Sequence, residues 1–74
     1  MSTNLYHAKL DSTYKVEFVP DIGLLNSLGI RRDVVIRVKN KYDLGGPVLL
    51  QIDTGVVALG KDIAVQIMLQ EVFD

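Results

Sequence analysis

Residues 24–38 place one short helical segment directly before a strand, and this order limits the folds open to the chain. Leu25 and Leu28 are three residues apart, so their side chains share one face of a helix. Gly29 follows where a helix needs a left-handed residue to end. Residues 34–38 then alternate as a strand does. A lone helical turn between strands is typical of a small barrel whose open end must be plugged.

Further strand patterns extend along the rest of the chain. Residues 14–19 alternate between apolar and polar, and residues 48–52 form an apolar strand pattern with every second residue expected inward. Residues 56–59 and 67–72 have the composition of short strands. The side chains that we expect to face the core are Tyr14, Val16, Phe18, Val34, Ile36, Val38, Val48, Leu50 and Ile52. About five short strands at a spacing of roughly ten residues predict an all-β sandwich or barrel with short helical turns. With so few strands, a small barrel that covers its own edges is favoured.

Turn and cap residues separate these strands. Residues 40–47 contain Asn, Asp, Gly-Gly and Pro, which predicts a loop, and residues 53–55 predict a tight hairpin. Asp21 and Asp62 are each placed to cap a following helical turn. In the first ten residues, Leu5 and Leu10 pack either as a first pairing segment or as a turn.

Length and composition limit the class of protein. Seventy-four residues predict a single domain, 1–74, and 49% hydrophobic residues supply an ample core. We expect no membrane span and no signal peptide, because the chain has neither a long apolar run nor a basic N-terminal region. The absence of cysteine excludes disulfides, thiolate metal sites and cysteine catalysis, and it fits a cytoplasmic location.

The charge distribution points to a candidate interaction surface. The whole chain carries a net charge of −1, yet residues 31–41 carry +4, so the remaining residues carry −5. This basic segment is either a solvated face, a docking surface for an acidic partner or anionic membrane, or a nucleic-acid site. Nucleic acid is disfavoured, because only one of the five aromatic residues lies near the segment. The candidate partner-binding residues are Arg31, Arg32, Arg37, Lys39 and Lys41, with Tyr42 and Leu44 as apolar contacts in the adjoining loop.

Catalytic and metal-binding patterns have little support in the sequence. His7 is the only histidine, and nothing in the sequence places a buried acid beside it to form a catalytic relay. Asp43 and Asp53 read as turn formers and have no histidine at metal-ligand spacing. We therefore predict no enzyme activity, no catalytic residue, no metal ligand and no cofactor.

Side chains on the opposite faces of the strands leave self-association open. Val35, Val57 and Met68 are expected to point away from the core. They form either a patch for self-association or a partner, or a surface covered by residues 1–10.

The order of these pieces resembles the FeoA family over roughly residues 5–72. The matching positions are Leu25, Leu28, Gly29, Val34, Ile36, Val38, Leu44, Gly45, Gly46, Pro47, Val48, Ala58, Leu59, Ala64, Ile67 and Leu69. The chain departs from the family's frequent pattern at Gly46, at Gly60 and Lys61, and at Arg31–Asp33. The resemblance implies an SH3-like barrel that serves as a cytosolic accessory protein of bacterial ferrous iron uptake. Its implied partner is the cytosolic portion of the transporter FeoB.

Two other functions remain alternatives at this point. One is a nucleic-acid-binding small barrel, whose binding would weaken steeply with salt. The other is a metal-sensing SH3-like module, as in iron-dependent repressors, which would bind a divalent metal saturably and melt at a higher temperature with it.

Overall fold

The computed structural model describes residues 2–72, which form a six-stranded antiparallel sheet and three short helical elements. The strands are β1 Ser2–Asn4, β2 Thr13–Phe18, β3 Val35–Lys41, β4 Val48–Ile52, β5 Gly55–Leu59 and β6 Met68–Glu71. The helical elements are a 3-10 helix, Leu5–His7, and the helices α1, Gly23–Leu28, and α2, Lys61–Ala64. No helix in the described part of the chain is both long and apolar enough to cross a membrane.

The strand order is β1-β6-β2-β3-β4-β5, so β1 and β5 are the two edges of the sheet. The strands curl around one core, which confirms the predicted small all-β barrel with short helical turns. The structure has six strands where the sequence predicted about five. The additional strand is β1, which pairs with β6 at the far end of the chain.

Fifteen buried apolar residues form the core, and they confirm most of the predicted inward positions. The predicted core residues that are buried are Tyr14, Val16, Ile36, Val38, Val48, Leu50 and Ile52, while Val34 is half-buried against them. Every second residue of β4 is buried, as a strand with one face on a core requires.

Phe18 is the exception, because 55% of its surface is exposed. A β-bulge causes this. Val16 pairs with Leu69, and Phe18 pairs with the adjacent residue of β6, Met68. Two residues of β2 are therefore spanned by one step of β6, so β2 carries one extra residue at this point. One extra residue turns the following side chain to the other face of the sheet. The prediction of Phe18 in the core is therefore wrong.

One of the three residues expected to point outward differs from expectation. Val35 is exposed, as predicted. Val57 is half-buried and packs against the core on the inward side of the sheet, where it pairs with Leu50, so the prediction that it points outward is wrong. Met68 is half-buried and pairs with Asn4 of β1, which agrees with cover from the first ten residues.

The first ten residues contribute two core side chains, Leu5 and Ala8, and leave Leu10 half-exposed. Leu5 is fully buried in the 3-10 helix, and its N–H donates to the carbonyl oxygen of Ile67 at 2.9 Å. The Asn4 side chain caps this helix by accepting the N–H of His7 at 2.9 Å. Leu10 is half-exposed, so of the two leucines Leu5 alone packs into the core.

Neither predicted aspartate cap is present. Ile22, not Asp21, is the N-cap of α1, and it is extended and makes no side-chain cap. Its N–H donates to the carbonyl oxygen of Pro20, and its side chain packs against the core. Gly60 is the N-cap of α2, and Asp62 lies inside its first turn, where a negative charge interacts favourably with the helix dipole. The predicted helix stop at Gly29 is confirmed, since this residue is left-handed with φ of 85°.

Candidate docking surface

Arg37 and Lys39 lie side by side on the outward face of β3 and are both exposed. Arg37 sits between Thr13 of β2 and Gln51 of β4, and its Nη1 lies 3.4 Å from the Thr13 hydroxyl. Among residues 2–72, Lys15 forms an ion pair with Asp33 at 3.9 Å, whereas Arg37 and Lys39 form none. Both charges therefore face solvent without an internal carboxylate partner.

Lys41 faces the opposite way from Arg37. The register between β3 and β4 shifts after Val38, so that Asn40 pairs with Leu49 and Lys41 pairs with the buried Val48. This bulge places Lys41 on the inward side at the end of the barrel, half-buried. The strand β3 also continues through residues 40 and 41, which the sequence pattern predicted to lie in the loop.

The predicted docking residues occupy three places along β3. Arg31 and Arg32 are exposed in the turn before the strand. Tyr42 and Leu44 lie in the loop after it. Since β3 has seven residues, the two ends lie about 20 Å apart. A partner must therefore cover a broad surface to contact all of them.

The loop of residues 42–47 holds Leu44 out into solvent. Its ends are closed by the Tyr42 N–H, which donates to the Pro47 carbonyl at 3.1 Å. Leu44 and Gly45 are both left-handed, with φ of 60° and 79°. The side chain of Leu44 is fully exposed, and half of the Tyr42 surface is exposed. The loop tip thus presents an apolar side chain with no cover from the fold.

Gly46 allows the loop to close tightly. A Cβ atom at this position would lie 2.7 Å from the Cβ of Tyr42 and 3.1 Å from its carbonyl oxygen. Any larger residue would force the loop apart, so this glycine fixes how Tyr42 and Leu44 are presented.

Lys61 adds a positive charge beside this loop, which its position in the sequence did not predict. Its Cδ lies within 3.7 Å of an ideal Cβ at Gly45, and its Nζ lies 5.2 Å from the centre of the Tyr6 ring, within cation–π range. Lys61 belongs to α2, far from the basic segment in sequence, and only the fold brings it to the loop.

The described residues offer little for chemistry in the interior. No carboxylate, histidine, lysine or arginine of residues 2–72 is buried, and no group of three potential metal ligands converges there. His7 is exposed and makes an edge contact with the Tyr6 ring. This arrangement of the described residues favours a protein that acts through its surface.

A curled antiparallel sheet with short helices, an exposed basic strand and an exposed apolar loop residue define a small SH3-like barrel. The family model of the FeoA domain matches residues 3–71, and the chain belongs to this family. None of the curated protein sequences matches the chain.

Solved structures have the same fold. An iron uptake regulatory protein (FeoA) superimposes with a TM-score of 0.87 at 20% identity, over 97% of this chain and 99% of that one. A FeoA-like protein from Clostridium acetobutylicum gives 0.81 at 22% identity, over 99% and 90%. A manganese-dependent transcriptional repressor gives 0.87 at 24% identity, and here 96% of this chain corresponds to only 42% of the repressor.

Proposed function

We propose that this protein is a small cytoplasmic accessory protein of bacterial ferrous iron uptake that docks on the cytosolic portion of the transporter FeoB and regulates it. Membership of the FeoA domain family supports this role, as does the structural likeness to an iron uptake regulatory protein over nearly the full length of both chains. The function is binding and not catalysis.

The single observation that carries the proposal is the exposure of Leu44 in a left-handed conformation. A non-glycine residue pays about 1–2 kcal/mol for this conformation. Packing of the side chain offsets none of this cost, because the side chain is fully exposed. Backbone strain of this kind is typical of functional positions. We infer that Leu44 enters an apolar pocket of the partner as its anchor.

Charge supplies the orientation for this contact. The basic segment of residues 31–41 stands against a net charge of −5 in the rest of the chain, so the molecule is electrically asymmetric. Such asymmetry turns the chain towards an acidic surface before contact and raises the association rate. Arg37 and Lys39 lie on the outward face of β3, and Lys61 lies beside the loop that carries the anchor.

An NMR titration of the isotope-labelled chain with the cytosolic portion of FeoB tests the proposal directly. We expect shifts in residues 31–47 and at Lys61, with the amide signals of the remaining strands unchanged. If no signal shifts at high concentration of the transporter portion, the proposed partner is wrong.

Leu44→Asn is expected to separate binding from stability. Asparagine tolerates the left-handed conformation, so the free energy of unfolding should rise by about 0.5–1 kcal/mol. Loss of the apolar anchor should weaken binding to the transporter portion at least about tenfold. Thermal melting and a binding titration measure the two effects. Leu24→Asn is the matched control, because Leu24 is a half-exposed leucine on α1, away from the loop. Equal binding by the Leu44 variant and the wild type would contradict the role of Leu44 as the anchor.

Arg37→Glu combined with Lys39→Glu is expected to slow association with the transporter portion about tenfold or more and to reduce iron uptake. Most of the loss should vanish at high salt, since both side chains are exposed. The measurement is the association rate against ionic strength. Lys9→Glu is the control for the single variant Arg37→Glu, because it makes the same change in net charge at an exposed lysine outside the basic segment. Unchanged binding and uptake in the Arg37/Lys39 variant would contradict docking through β3.

A further inference from the structure

The outer edge of β5 is unpaired within residues 2–72, because β5 is the last strand in the sheet order. Ile52 pairs with Gly55 across a two-residue turn, which makes this a hydrogen-bonded pair. In an antiparallel ladder the backbone groups of alternate residues then point the other way. The N–H and C=O groups of Val56 and Ala58 therefore face away from β4, and both residues are exposed.

This edge lacks the features that normally block strand pairing. Residues 54–60 contain no charged residue and no proline, whereas the opposite edge, β1, has only three residues, all polar. A groove of about 530 Å³ also runs beside β5, between Val57 and the end of α1 at Leu28.

We propose that β5 pairs with β5 of a second copy of this chain, antiparallel and around a two-fold axis at Val57. In this register Val56 of one copy faces Ala58 of the other, and Ala58 faces Val56. Each of these is a hydrogen-bonded pair, so all four outward backbone groups of each copy find partners. The two Val57 residues meet at the axis on the inward side, beside the grooves.

Charge complementarity favours a second copy as the occupant of this edge. Asp53 precedes β5 by two residues and Lys61 follows it by two. The two-fold axis at Val57 therefore brings Asp53 of each copy to the same end as Lys61 of the other. The uncharged strand itself sets no like charges against each other across the axis. A closed, isologous dimer follows from this symmetry. The inference goes beyond the proposed docking function and does not depend on it.

Two double variants test the register. Val56→Lys with Ala58→Lys places like charges opposite each other in both pairs, and we expect the dimer to dissociate about tenfold more readily than that of the wild type. Val56→Lys with Ala58→Glu places opposite charges in the same pairs and should retain the dimer. Both positions are exposed in the single chain, so both variants should fold, which thermal melting checks. Sedimentation equilibrium between about 10 µM and about 1 mM gives the dissociation constants.

Amide hydrogen exchange gives a second, independent readout. Exchange at Val56 and Ala58 should slow as the concentration rises, while the Val57 N–H, which faces β4, should be protected throughout. A chain that stays monomeric over the whole range, with exchange at Val56 independent of concentration, overturns the proposal and leaves the edge to an extended segment of another protein. Dimers that respond equally to both double variants overturn it as well.

Discussion

Leu5→Ala is expected to lower the free energy of unfolding by about 3 kcal/mol and the melting temperature by more than about 10 °C. Leu5 is fully buried, and truncation leaves a cavity that a short 3-10 helix held to Ile67 cannot close. A domain of this length has a total stability of about 4–11 kcal/mol, so the loss is a large fraction of the whole. Urea denaturation, analysed as a two-state transition, measures the change.

Leu10→Ala is the control for this result. Leu10 is half-exposed and lies in the same N-terminal segment, so the same chemical change should alter the stability by less than about 0.5 kcal/mol. If both variants lost the same stability, the packing of the 3-10 helix into the core would be contradicted.

The strands that could be predicted from the sequence are those whose alternation is uninterrupted. Val48, Leu50 and Ile52 alternate in a regular strand that pairs along its whole length with β5, so a local pattern was sufficient. The hairpin turn at Asp53 and Thr54 and the helix stop at Gly29 could also be predicted, because each depends on the conformational preference of one or two residues.

The positions that could not be predicted depend on a distant part of the chain. Phe18 and Lys41 both follow β-bulges, and a bulge is defined by the register with a neighbouring strand, which local sequence does not specify. β1 is only three residues long, and it exists because it pairs with β6 from the other end of the chain. Leu5 is buried for the same reason.

The candidate docking surface likewise has parts that could be predicted from the sequence and parts that could not. Gly45, Gly46 and Pro47 predicted the loop after β3, but Leu44 also takes the left-handed conformation there. A leucine has no intrinsic preference for that conformation, so its complete exposure could not be read from the sequence. Lys61 reaches the loop only through the packing of α2. The basic residues were found from their clustering, and the structure spreads them along β3.

The helix stop at Gly29 gives the second large effect. Gly29→Val is expected to lower the free energy of unfolding by about 2 kcal/mol, because a β-branched residue is strained at φ of 85°. An ideal Cβ here meets no atom within 4 Å, so the loss comes from the backbone and not from crowding. That conformation lets the Gly29 N–H donate to the end of α1, while the N–H of the buried Ile30 donates to Leu25 at 2.9 Å. Gly29→Asn, measured by the same urea denaturation, should lose less than about 1 kcal/mol, since asparagine accepts left-handed geometry. Equal losses for valine and asparagine would mean that something other than the left-handed backbone makes glycine necessary at this position.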